Sequence, residues 1–214
     1  VLRSLAVHFM MAYDHYFAPR ETNLIRRYFN PDDVELTVNE TEATPNIAVY
    51  KGGACEVIAV GPGNVLGDVI THEFTHGIDD HAGDLGSGRE PGALGESTSD
   101  VLAATQTSDW VIGEGVPGKN ATCGVRSLAD PQVCGDPDQY SEKRVLSGPL
   151  LLAYTTLREE AAALMRNLNF SAALVKLAEA RRIWEEDADR GFVHANSTIT
   201  SHAAYLASEG GTHR

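Results

Sequence analysis

A chain of 214 residues, 43% hydrophobic and 22% charged, can bury a substantial core in one or two domains, which excludes an intrinsically disordered protein. Its 30 acidic against 17 basic residues give a formal charge of -13 with no basic cluster, so polyanionic partners, nucleic acid and anionic membranes, are excluded. The longest strongly apolar window, "SGPLLLAY", falls far short of the roughly 20 residues that a bilayer crossing needs.

From Ser4 to Phe17 apolar residues recur at helical spacing, and Pro19 marks the exit of a predicted helix. The same stretch lacks the charged start and small-residue cleavage site of a secretion signal, as expected of a mature or trimmed piece. "VELTV" (34–38), "NIAVY" (46–50) and "CEVIAV" (55–60) are β-branched runs separated by Asn, Pro and Gly, and predict a small antiparallel sheet. A helix is expected over about 65–80. After the Gly-rich "AGDLGSGREPGALG" a second follows over about 94–107.

Residues 113–141 are too rich in Gly, Pro, Asp and Asn for long elements. Cys123 and Cys134 bracket "CGVRSLADPQVC", and a disulfide there would lower unfolded-state entropy by about 3 kcal/mol and fit an oxidising, extracellular compartment. Cys55 is left as a buried thiol. Helices over about 148–167 and 171–188, with Ser171 as N-cap and "NLNF" as the turn, predict a helical hairpin, and a last helix near 197–208 stops at "EGG". No repeat of 20 to 50 residues is present. The fold class expected is α+β: a partial N-terminal subdomain over 1–80 with the sheet and a motif-bearing helix, then a mainly helical subdomain over 81–214.

The motif is "HEFTH", with His72, Glu73 and His76. On a helix, positions i and i+4 differ by about 40° and 6 Å, so both imidazoles can converge on one ion. Glu73 projects about 100° round from His72, beside such an ion, where a carboxylate can take a proton from water. A catalytic zinc needs a third protein ligand and one open position. Glu96, in "GALGESTSD", can return to the first helix through the Gly-rich loop, and Asp100 one turn later can hold the free ring N–H of His72 or His76.

"HEFTH" followed by "GALGESTSD" resembles the thermolysin-like zinc metallopeptidases, the gluzincin group. So do "DWVIGE", "VRSLADP", "GDPDQYS", "GFVHANSTI" and "AAYLASEGGTH", which occur in the family's order. The resemblance implies a zincin-like helical catalytic unit, Zn²⁺ held by His72, His76 and Glu96, and Glu73 as general base. It implies His194 as the residue that steadies the oxyanion, with Asp189 orienting it. Arg126 matches a family arginine that binds a substrate carbonyl, and Ala48 and Tyr50 match the edge strand along which an extended substrate pairs. The implied chemistry is peptide hydrolysis by metal-activated water, with no acyl-enzyme.

Three departures stand out. The loop "GDLGSGREPG" lacks the tyrosine that in the family shares the oxyanion with the histidine, and Gly95 replaces the family's asparagine before the third ligand. For Ca²⁺, only Asp68, Asp109 and Glu114 match, while Thr107, Val111 and Gly115 do not, so at most one weakly held ion is expected. "LNFSAALVKLAEA" resembles a segment that normally follows "VHANS", yet it precedes it here, leaving the hairpin of residues 145–188 as an insertion or a rearrangement.

The reading implied is a secreted, zinc-dependent, monomeric endopeptidase acting on peptide or protein substrates. Its rivals are a zinc-holding module that has lost turnover, and a zinc aminopeptidase, for which no acidic amine pocket is visible. "GPGNVLG" lacks the Lys-Ser/Thr ending of a phosphate loop and reads as a turn before a helix. "NET", "NAT", "NFS" and "NST" match the glycosylation pattern, and Asn196 of the last falls among the site residues.

Overall fold

The computed structural model describes residues 34–38, 48–53, 56–83 and 85–211. The helix expected over Ser4 to Phe17, and Cys55, lie outside the described residues. The fold is α+β, a small sheet followed by long helices.

Strands β1 (Val34–Val38), β2 (Ala48–Lys51) and β3 (Glu56–Val60) form one sheet in the order β1-β3-β2. β2 and β3 are antiparallel with Ala48 opposite Val60, but β1 runs parallel to β3 with Val34 opposite Glu56. The wholly antiparallel sheet expected is therefore corrected to a mixed one. A parallel neighbour needs a crossover of about a dozen residues or more, and the chain between β1 and β3 is long enough because it contains β2. Among the described strands β2 lies at an edge, where its outer amides and carbonyls can meet another group.

Helix α1 (Gly67–Ala82) packs on the sheet through Ile70 and Phe74, which close a core with Ile58 and Val60. Burial covers most of its circumference, including Asp68, His72 and Glu73, so these three polar side chains are held inside the protein. Phe74 is fully buried, and Phe74→Ala is expected to cost about 3–5 kcal/mol in urea unfolding, because the ring leaves a cavity that the rigid sheet cannot collapse into.

Helix α2 (Arg89–Thr107) starts five residues before the expected 94, enclosing Pro91 and Gly92 in its first turn. An amide at position 91 would have no carbonyl to reach within the helix, so proline costs nothing there, and the first helical bond runs from the Gly92 amide to the Gly88 carbonyl at 3.2 Å. Gly92 has a separate reason: a Cβ on it would meet the Ser87 carbonyl carbon at 2.7 Å and Val193 at 2.8 Å.

The short strands β4 (Val111–Ile112) and β5 (Arg126–Ser127) pair antiparallel, and the Cys123–Cys134 disulfide closes the segment that contains β5, with Cα atoms 5.3 Å apart. Gly124 has φ +58, and a Cβ there would meet the Ile112 carbonyl oxygen at 2.4 Å, so only glycine lets this hairpin close.

Helices α3 (Gly148–Arg166) and α4 (Phe170–Arg182) form the expected hairpin around Leu157, Ala180 and Ile183. The N-cap of α4 is Asn169, whose side chain accepts from the Ala172 amide at 3.3 Å, in place of the expected Ser171. Asparagine reaches the third amide from two residues earlier. A π-turn (Ile183–Asp187) leads into α5 (Asp189–Glu209), which starts earlier than the expected 197 and contains left-handed residues at 190–192.

α2 lies between α1 and α5. Small residues permit the close approach: Ser97 and Ser99 are buried on α2, and Ser201 of α5 donates to Ser97 Oγ at 3.0 Å. One helix thus presents groups to both neighbours. No described helix is long and apolar enough to cross a membrane.

Candidate active site

On α1, His72 and His76 point the same way, with their Nε2 atoms 3.0 Å apart. Glu96 of α2 brings Oε2 to 3.2 Å from His72 Nε2 and 3.6 Å from His76 Nε2. These three donor atoms lie within 4.8 Å of one another. Glu96 Oε2 is buried and receives no hydrogen bond. Two imidazole nitrogens and one carboxylate oxygen brought this close together in a buried place suit a cation at their centre. Two imidazoles, one carboxylate and an open side also make a donor set that suits zinc.

Behind His72, Asp100 Oδ1 lies 2.8 Å from Nδ1, close but not aligned as a hydrogen bond. Its charge favours the tautomer with the proton on Nδ1, leaving the Nε2 lone pair facing Glu96. Asp100 is fully buried and takes two bonds from Arg126, Nε to Oδ2 and Nη2 to Oδ1, each 2.7 Å. Burial opposes ionisation of Asp100, but Arg126 and His72 outweigh it and hold its carboxyl at about 2. Burial likewise opposes protonation of His72, yet Asp100 and Glu96 raise it to about 10. Glu96, against the penalty of burial, is held well below the carboxylate range by His72, His76 and His194.

Glu73, on the neighbouring face of α1, accepts the Tyr50 amide of the edge strand through Oε2 at 2.6 Å. That bond crosses from sheet to helix and fixes the carboxylate beside the two imidazoles. From the opposite wall His194 places Nε2 3.2 Å from Glu96 Oε2, while its Nδ1 lies 2.9 Å from both oxygens of Asp189. Asp189 Oδ2 also accepts the His194 amide at 3.0 Å, so one carboxylate holds both main chain and ring.

The residues expected to bind metal, catalyse or hold substrate gather at one cleft of about 750 Å³. Ala48, Tyr50, His72, Glu73, His76, Glu96, Arg126, Asp189 and His194 line it, and Asp100 stands behind His72. Val69, Ile112 and Val125 add an apolar wall. Gly95 also borders it, with the Asp79 carboxylate 3.4 Å from where a Cβ would stand.

Sequence reasoning missed Arg144, Phe192 and Arg190 on the cleft wall. The closeness of Arg190 to Asp189 and His194 in the chain was a signal, but nothing local shows where its side chain goes. Asn196 is committed as well: its amide nitrogen donates to the Arg144 carbonyl at 2.9 Å and the Gly191 carbonyl at 3.2 Å. Both amide hydrogens are used, which argues against a glycan there in the folded chain. Asp68, one of the three calcium candidates, accepts the Gly113 amide, and burial together with Asp68 and Asp109 raises the Glu114 carboxyl.

Residues 84–214 match the model of the thermolysin metallopeptidase alpha-helical domain. A bacillolysin of Brevibacillus brevis is 34% identical over 149 residues, covering 68% of this chain and 20% of the relative. Neutral protease B of Bacillus subtilis (strain 168) is 35% identical over 149 residues, with the same coverage, 68% and 20%. A bacillolysin of Bacillus cereus is 29% identical over 234 residues, 96% of this chain and 33% of the relative. The chain therefore spans between a fifth and a third of the length of these relatives.

Proposed function

This chain belongs to the thermolysin metallopeptidase family, and from that premise we propose that it is a secreted, zinc-dependent neutral endopeptidase. The observation that carries the reading is the convergence of His72, His76 and Glu96, with Glu73 at one side and His194 at the other. The relatives' names, bacillolysin and neutral protease, agree with a peptidase, and the Cys123–Cys134 disulfide supports an oxidising compartment.

His72, His76 and Glu96 would hold the zinc. When bound, the ion polarises a peptide carbonyl and makes water more acidic. Glu73, held by the Tyr50 amide, takes a proton from the attacking water and returns it to the leaving nitrogen. As the new C–O bond forms, the carbonyl electron pair moves onto oxygen, and the His194 ring, steadied by Asp189, supplies a donor to it. Collapse then breaks the C–N bond. The edge of β2 offers main-chain groups to an extended peptide, and Val69, Ile112 and Val125 suit an apolar side chain next to the cleaved bond. Arg126, doubly bonded to Asp100, holds that carboxylate against His72 as much as it faces substrate.

The test is to purify the chain, quantify zinc, and follow cleavage of an unfolded protein. One equivalent of zinc, cleavage stopped by a chelator and restored by zinc, and internal cut sites in the products are expected. Zinc-loaded protein that cuts nothing would favour the module without turnover, and removal of terminal residues alone would favour an aminopeptidase.

A further inference from the structure

Three arginines line the cleft among the described residues, and they are held in different ways. Arg126 is buried and fully engaged with Asp100. Arg144 pairs with Asp136 at 3.2 Å and donates to the Gly135 carbonyl. Arg190 is one-third exposed, at 35%, and its Nη2 lies 3.9 Å from Glu96 Oε1, the outer edge of ion-pair range. Its charge is loosely neutralised. Glu96 is thus approached on its two oxygens by two residues of one turn, His194 on Oε2 and Arg190 on Oε1.

That turn is unusual backbone. Asp189, Arg190 and Phe192 have φ of 42°, 51° and 61°, with Gly191 between them at 103°. Each non-glycine residue there is strained relative to the right-handed region. Such strain persists only where surrounding packing imposes it, and here it does: a Cβ on Gly88 would meet the Arg190 carbonyl oxygen at 3.1 Å, and one on Gly191 would meet Arg89 at 3.2 Å. The turn is pressed onto the start of α2. Gly86 and Ser87, small residues of a loop without tyrosine, line the same cleft as Arg190.

We infer that Arg190 is a second electrophilic group of this site, acting with His194 on the oxyanion that forms when water adds to the scissile carbonyl. The inference rests on the peptidase reading above. A guanidinium carries its charge at every working pH, offers several N–H donors in one plane, and is held on the same turn as His194. A positive charge already in place costs no reorganisation when negative charge develops, so it stabilises the transition state more than the neutral substrate.

The experiment compares wild type, Arg190→Gln and Arg190→Lys as full chains. It measures zinc affinity by chelator competition, kcat and KM on a fluorogenic peptide, and binding of a peptide phosphonate, a tetrahedral anion, beside the product peptide. For Arg190→Gln a loss of about 100-fold in both kcat and phosphonate affinity is expected, near the lower end for removal of an oxyanion donor, with KM, zinc affinity and product binding within a few-fold of wild type. Arg190→Lys keeps the charge and should recover part of both losses. Equal weakening of phosphonate and product, a change confined to zinc affinity, or a loss seen only with acidic substrates overturns the inference. If wild type with its zinc cuts nothing, the peptidase reading falls, while the phosphonate-to-product comparison still decides whether Arg190 recognises the tetrahedral anion.

Discussion

Glu73→Gln is expected to reduce peptide cleavage by about 10²–10⁴-fold while zinc content stays at one equivalent. Glutamine has the same shape, and its carbonyl oxygen can still accept the Tyr50 amide that now meets Glu73 Oε2 at 2.6 Å, so the strand-to-helix link survives. Basicity alone is lost. His72 and His76 lie on the adjoining face of α1 and keep their Nε2 atoms directed at Glu96, which is why metal binding should be unaffected. Progress curves with elemental analysis of the same samples check both halves. Activity within tenfold of wild type would remove Glu73 from the role of base, and zinc loss would make it a structural residue of the site.

Asp100→Asn should damage the protein in two separable ways. The carboxylate is fully buried and neutralises Arg126 through two 2.7 Å bonds, so the variant leaves a buried guanidinium without its bonded countercharge, at a cost of about 3–5 kcal/mol in urea unfolding of the zinc-free protein. The same change removes the charge 2.8 Å from His72 Nδ1, and the weakened ligand should lower zinc affinity by about 10–100-fold. Adding Arg126→Met to Asp100→Asn distinguishes the two effects. Most of the stability should return because no charge is buried, whereas the zinc defect should remain because His72 still lacks its anchor. Recovery of both would show that Asp100 acts only as the partner of Arg126.

Both variants turn on contacts of different kinds. His72 and His76 are one helical turn apart, so their convergence follows from α-helical geometry as soon as the apolar pattern of 65–80 is seen. Glu96 was legible because a Gly-rich loop returns a second apolar helix to the first. The bond from Tyr50 to Glu73 was not, since it needs the depth at which an edge strand sits over α1. Nor was the pairing of Asp100 with Arg126, 26 residues apart, where the sequence offers each many charged partners and burial selects one.

Local chemistry alone determined the β-branched strands, the helical hairpin, the two-cysteine loop and the shared helix face of His72 and His76, because each depends on periodicity or on short spacing. Tertiary packing decided the parallel pairing of β1 with β3, the early start of α2 at Arg89, and the left-handed turn that carries Asp189 and Arg190 just before His194. Those features cost energy, or offer no advantage, in an isolated segment. They exist because α2 is enclosed between α1 and α5, where close approach of distant backbone outweighs what each segment would prefer alone.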